Sequence, residues 1–357
     1  REPDGLVDPA CADWLLARGE RLLTADPVAS ARAVALAARA DVRRAPPAEF
    51  ESSLRNSAGS RYVTGAPEAW LDLALAGLAA GANHGLFPAG VDLHFRGGLR
   101  GALERRLQER ADDWPAALYL SLALLRTNRE PDDLERGAAL ARRVLEAPDL
   151  TPHGRAFALE ALGKHLLWSR SSAEAVACFE AALAAWHPRP DEVCLEASRC
   201  ELDLGRPAAA VPWAERAVDL RDRRARGGPP EEGRPPGMPL SSIEGTRGAE
   251  SFRLQARTTL LDRLLRAREH VRAEQVILDL GEQPWPGVVH ARLGAVALAA
   301  VRGLRHEAHE RARALSADPE VEARLLRNEG GWVRTLVSEA TGDRAFARAL
   351  ARDLGVD

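Results

Sequence analysis

His306, Glu307, His309 and Glu310 are the nearest this sequence comes to a metal-binding set. Imidazoles at i and i+3 lie on one helix face and can share an ion. The spacing is not H-E-x-x-H, however, and no third ligand can be assigned, so a solvated polar helix face is the reading adopted. A second set, His84, Asp92 and His94, sits in a Gly-rich stretch from Gly81 to Gly101. It would have to fold together to hold a cation, and it carries a minor alternative, a metal-dependent enzyme using that loop. In the same stretch Gly97-Gly98 and Gly101 match a phosphate loop only loosely and lack a preceding strand. Neither G-x-x-x-x-G-K-[ST] nor G-x-S-x-G occurs. The carboxylate pairs Asp112-Asp113, Asp132-Asp133 and Glu231-Glu232 fall at breaks or in a linker, where helix N-terminal charge and solubility account for them. No catalytic residue, cofactor or metal site is therefore assigned, and the chain is read as non-enzymatic.

Charge excludes a further class of function. Forty-nine basic residues face 52 acidic ones, for a formal net charge of -3, and the two signs are interspersed, so a nucleic-acid partner is not expected. Lys164 is the only lysine, and the resulting arginine excess reads as a GC-rich, bacterial coding bias rather than a phosphate-reading surface. No apolar run reaches the roughly 18 residues needed to span a bilayer, and direct membrane insertion is not expected. Cys11, Cys178, Cys194 and Cys200 form no C-x-x-C pair. They read as reduced thiols, with a Cys178–Cys194 disulfide left open. The chain opens on Arg1 rather than Met, so any leader, anchor or upstream domain is expected to lie outside it. The cytoplasm is the favoured compartment, with periplasmic or secreted locations left open.

The elements that position these residues are helices throughout. Apolar residues recur with helical periodicity from end to end, and period-two runs of β-branched residues are lacking, which predicts an all-α fold. Breakers arrive at helix-sized intervals, among them Asp26-Pro27, Trp114-Pro115, Pro131-Asp132, Pro148-Asp149, Pro188, Gly205-Arg206-Pro207, Pro284, Asp318-Pro319 and Gly330-Gly331. The organisation expected is a helical region over 1–110 containing the irregular 81–101 loop, a helical array over 111–226, a flexible Pro/Gly-rich linker or inserted loop over 227–248, and a second array with its cap over 249–357. Helix pairs at Pro9 to Arg43 and Gly330 to Asp357 are expected to cap the stack.

The clearest hairpin has one helix from about Thr151 to Trp168, a Ser-rich turn, and a second helix from Ala173 to Trp186. Leu162-Gly163, Ala175 and Phe179 stand at the positions of L-G, A and F in the pattern W-x2-L-G-x2-Y, A-x3-F and a closing Pro. Leu159 and Leu166 replace the Trp and Tyr, and Pro188 closes the unit one place late. A second unit runs from Asp191 to Leu220, with Ser198 in the frame 35 residues after Gly163. Weaker copies run from Trp114 to Pro148, Phe252 to Pro284, and Gly287 to Pro319, the last with Leu293-Gly294. On these residues the middle and C-terminal parts resemble a tetratricopeptide-repeat protein, and the resemblance implies a right-handed superhelical solenoid of antiparallel hairpins.

In that family the first helix of each hairpin lines a concave groove. Carried onto the clearest unit, the groove positions are Phe157, Glu160, Lys164, Leu167 and Trp168, and on the next Glu192, Leu195, Arg199, Leu202 and Asp203. The resemblance thus implies a protein or peptide partner, an extended acidic or mixed-charge segment being the one these side chains suit, or membership of a larger assembly. The Asn residues by which some family members clamp a terminal carboxylate are missing, so such a ligand is not expected. The plain alternative for Glu160 and Lys164 is an i,i+4 pair on a solvated face. The alternative function is a regulatory or substrate-docking region of a larger bacterial enzyme, a Ser/Thr kinase or a glycosyltransferase.

Overall fold

Proline or a short polar cap starts several of the helices. In the computed structural model, residues 11–22, 99–125, 131–225, 245–284, 286–321 and 323–356 are described, with positions 29 and 33. Among them are α1 (Ala12–Leu22), α2 (Leu99–Glu109), α3 (Trp114–Leu124), α4 (Pro131–Leu145), α5 (Pro152–Trp168), α6 (Ser172–Ala184) and α7 (Pro190–Asp203). There follow α8 (Pro207–Ala225), α9 (Gly245–Arg266), α10 (His270–Gly281), α11 (Gly287–Val301), α12 (Arg305–Ser316), α13 (Ala323–Thr341) and α14 (Arg344–Asp353). No strand occurs among the described residues, and the fold is all-α. Pro131, Pro152, Pro190 and Pro207 each stand at the first position of a helix, where the missing N–H costs nothing. Asp113, Thr151 and Asp343 cap α3, α5 and α14, accepting from Ala116, Gly154 and Phe346 amides at 3.1, 3.0 and 2.9 Å.

The chain divides into two compact units between Cys200 and Glu201, within α7. In the first, α3 packs on α4, α4 on α5 and α5 on α6, with α3 also touching α5. From α3 to α6 each helix packs on the one after it, as in antiparallel hairpins. The frame residues do what their sizes allow: a Cβ added to Gly163 would fall 2.7 Å from Cε1 of Phe179, which is fully buried. The missing side chain is what lets α6 lie against α5.

A polar insertion joins the first two hairpins of this unit. His165, on α5, lies over the α4 backbone so closely that a Cβ on Gly137 would stand 1.9 Å from its Cε1. Its Nε2–H is shared by the carbonyl and Oγ of Ser121, at 3.0 and 3.1 Å, while the Ser121 hydroxyl donates to the Gly137 carbonyl at 2.9 Å. Nδ1 is buried without a partner. Burial holds the imidazole pKa down to about 4, against the smaller opposing effect of the Ser121 bond.

In the second unit α8 packs on α9, α9 on α10, α10 on α11, α11 on α12 and α13 on α14. α11 is the central element, buried from Val289 through Ala300 on most of its faces. Gly294, the counterpart of Gly163, again permits close approach, but to the preceding hairpin: its added Cβ would lie 2.6 Å from Leu261 of α9 and 3.0 Å from Ile277 of α10. Asp222 ties α8 to α9, accepting from both terminal guanidinium nitrogens of Arg257 and from Nε of Arg253.

Three expectations are corrected. Gly330-Gly331 does not break a helix, because α13 runs through it. The glycine serves packing there, since a Cβ on Gly330 would meet Val356 Cγ2 at 2.6 Å. The Pro/Gly-rich linker expected over 227–248 ends sooner, for α9 begins at Gly245, and glycine costs a helix only about 1 kcal/mol per residue. Likewise α2 already includes Gly101. His84, Asp92 and His94, and most of the expected N-terminal cap, lie outside the described residues.

Two measurements check this packing. Gly163→Ala is expected to lower stability in urea by about 2 kcal/mol through overpacking against Phe179, and Phe179→Leu in the same chain to recover part of the loss. For His165, the unfolded chain binds the proton near pH 6.5 and the folded chain near 4, so its contribution is complete above 6.5 and is lost as pH falls toward 4. The loss should total about 3 kcal/mol, and His165→Leu should flatten that limb of the stability profile.

Candidate functional site

The turn after α6 determines what the groove positions can do. Trp186 has φ 58°, in the left-handed region that a bulky side chain enters only at a cost of roughly 1–2 kcal/mol. The helix end there is closed by Trp186 N–H to Leu183 O and His187 N–H to Ala182 O, at 3.0 and 3.2 Å. The reversal carries His187 inward until it is fully buried. The Arg189 amide donates to its Nδ1 at 3.1 Å, so Nε2 carries the proton and donates to Glu160 Oε2 at 2.9 Å. Lys164 Nζ donates to the other oxygen, Oε1, at 2.5 Å. Phe157 meets the same imidazole edge-on, with ring centroids 5.1 Å apart and planes at 87°.

Phe157 and Glu160, expected on the groove surface, are therefore interior residues, each only 3% exposed. The Glu160 carboxylate is tolerated in that position because both oxygens are satisfied, one by a cation and one by a neutral N–H. Lys164 keeps 24% of its side chain exposed, and its charge is already answered by Glu160. His187 carries no motif and was missed by reasoning from sequence. The available signal was its place in Trp186-His187-Pro188-Arg189-Pro190, an extended run that must cross the end of the hairpin.

What remains accessible is a smaller set. Trp168 and Leu195 are half-buried, and Arg199 is exposed. The Arg199 guanidinium lies over the Trp168 ring, 4.5 Å from its centroid. This contact brings together one residue from each of two predicted groove units, and Arg199 has no carboxylate partner among the described residues. Glu192 is occupied by Arg189, and Asp203 is an exposed residue of the second unit. A cation stacked on an indole keeps its N–H edges free for an incoming carboxylate or carbonyl.

The other sequence candidates are not assembled. His306 is 89% exposed beside Glu310, whereas His309 bonds Asp353 of α14 through Nδ1 at 2.5 Å. The two rings thus serve different carboxylates, and no grouping suited to a metal occurs among the described residues. None of the four cysteines is in a disulfide, Cys194 and Cys200 are buried, and burial pushes the Cys178 thiol up. No helix among the described residues is long and apolar enough to cross a membrane.

No family model matches the chain, and no curated protein matches it. Among solved structures, YrrB, described as a TPR protein with an unusual peptide-binding site, is matched over 71% of this chain and 99% of that one. The identity is 17% and the TM-score 0.42. A likeness that distant decides nothing about function, and the description of the fold rests on the helices themselves.

Breaking the Glu160 pair tests the buried network. Lys164→Met is expected to destabilise the chain, because it leaves a buried carboxylate with one neutral donor. Glu160→Gln in the same chain should remove most of that penalty, giving a coupling of about 2 kcal/mol in a denaturant double-mutant cycle.

Proposed function

We propose that the first unit is a non-enzymatic protein-interaction scaffold, which binds an extended acidic or mixed-charge peptide across the α5 and α7 positions Lys164, Trp168, Leu195 and Arg199. The observation that carries this reading is the stacked Arg199–Trp168 pair, an exposed cation with no carboxylate partner among the described residues, held against an aromatic face. An aromatic and an arginine in contact are the side chains that most often dominate binding energy at interfaces. Stacking also limits the rotamers of Arg199 before the partner arrives, which lowers the ordering cost of binding. Leu195 adds apolar surface beside them, and Lys164, neutralised by Glu160, acts mainly through its aliphatic stem.

Lys164→Glu is a poor probe of this site, since it would set a second carboxylate against Glu160 and report on folding. Arg199→Ala and Trp168→Ala leave the buried network in place. On an array of extended peptides of graded Asp and Glu content, the intact chain should prefer the acidic members. Each variant should weaken binding about tenfold, and salt should weaken it further. Equal binding by the intact chain and both variants would exclude this face.

A further inference from the structure

The second unit carries an unusual surface on α10. Ala273, Val276 and Leu280 turn into the core, while on the opposite side Val271 and Leu278 are 80% and 59% exposed. Single exposed apolar residues are ordinary. These two stand one heptad apart on one helix, with the exposed Gln275 between them.

The flanking charges complete a pattern. Arg268 precedes the helix and Glu282 caps its end, both exposed, and neither has an ion-pair partner among the described residues. Val271, Gln275, Leu278 and Glu282 follow the alternating four- and three-residue spacing of a coiled-coil seam, and Arg268 stands beyond its N-terminal end, in a left-handed turn with φ 60°. A carboxylate at the C-terminal end of α10 also opposes the helix dipole, so Glu282 is not explained by the stability of its own helix. Neighbouring charges are occupied: Arg272 pairs with Glu215 and Glu269, Glu274 with Arg302, and Asp279 accepts from Gln275.

We infer that the outer face of α10 is a self-association surface, pairing antiparallel with the same face of a second copy of this chain. The pattern is self-complementary. A two-fold axis beside Gln275 sets Arg268 against Glu282 of the second copy and Val271 against its Leu278, each contact occurring twice. The parallel arrangement would instead oppose Arg268 to Arg268 and Glu282 to Glu282, and is disfavoured. One face of a 12-residue helix gives an interface below the standard size, so the dimer is weak and exchanges rapidly.

The test is sedimentation velocity of the full chain from about 1 to about 300 µM, the range suited to a small interface. The expected result is a monomer–dimer equilibrium with a micromolar Kd. Leu278→Ser and Glu282→Arg should each weaken it about tenfold, because the two-fold doubles every change. Arg268→Glu with Glu282→Arg should restore it to within about threefold of the original. Circular dichroism melts of the variants should match the parent, since all the substituted side chains are exposed. A monomer throughout the range, with this face left to some other protein, would overturn the inference. So would a dimer indifferent to Glu282→Arg, or a charge swap as weak as the single reversal.

Discussion

A helical hairpin cannot cover its own apolar faces, and the rest of this structure depends on how closely the next helix can approach. Gly163 and Gly294, the two Leu-Gly positions of the frame, are places where that approach needs a missing side chain. Each removes a Cβ at a point where Phe179, or Leu261 and Ile277, already fills the space. The two glycines act in different directions, one within its hairpin and one toward the preceding hairpin, so the same Leu-Gly signature serves two packing geometries. Once the backbones are that close, few cavities remain and polar groups enter the stack only where their hydrogen bonds travel with them.

His165 and His187 show the two ways this is done. His165 keeps one N–H shared by two oxygens of Ser121 and leaves Nδ1 bare, so its protonation is driven down by burial. His187 is satisfied at both nitrogens, and it satisfies Glu160 in turn. The first is a spacer between α4 and α5 whose cost appears in acid. The second is a strap that fixes the end of one hairpin over the helix that begins it. The strap leaves Lys164 as a neutralised edge and Arg199 as the charge available to a partner. Accessible chemistry on this face is therefore concentrated at one aromatic–arginine contact rather than spread over the ten groove positions.

Helix order and the main hairpins were legible because their signals are local. Pro152 after Thr151 starts α5, Gly205 at φ 71° ends α7, and the apolar spacing between such marks places each buried stripe. Glycine misled where its local meaning and its packing meaning differ. Gly330 reads as a break, yet it lies in mid-helix because Val356 needs the room. Gly245 and Gly248 read as linker, and they belong to α9 because a helix tolerates glycine when the following turns are well packed.

The sequence by itself determined the all-α class and the helices from Trp114 onward, since 3.6-residue periodicity and turn chemistry act over a few neighbours, and its family resemblance nominated a face on α5 and α7. Only the tertiary structure decided which polar residues on that face meet solvent. Glu160, Lys164 and Arg199 look equivalent along the chain, being charged residues one or more turns apart. Glu160 is buried because a left-handed Trp186, 26 residues later, swings His187 over it. Arg199 is presented because the helix that bears it lies beside Trp168. Burial is a property of what arrives from elsewhere in the chain, and no local pattern encodes that arrival.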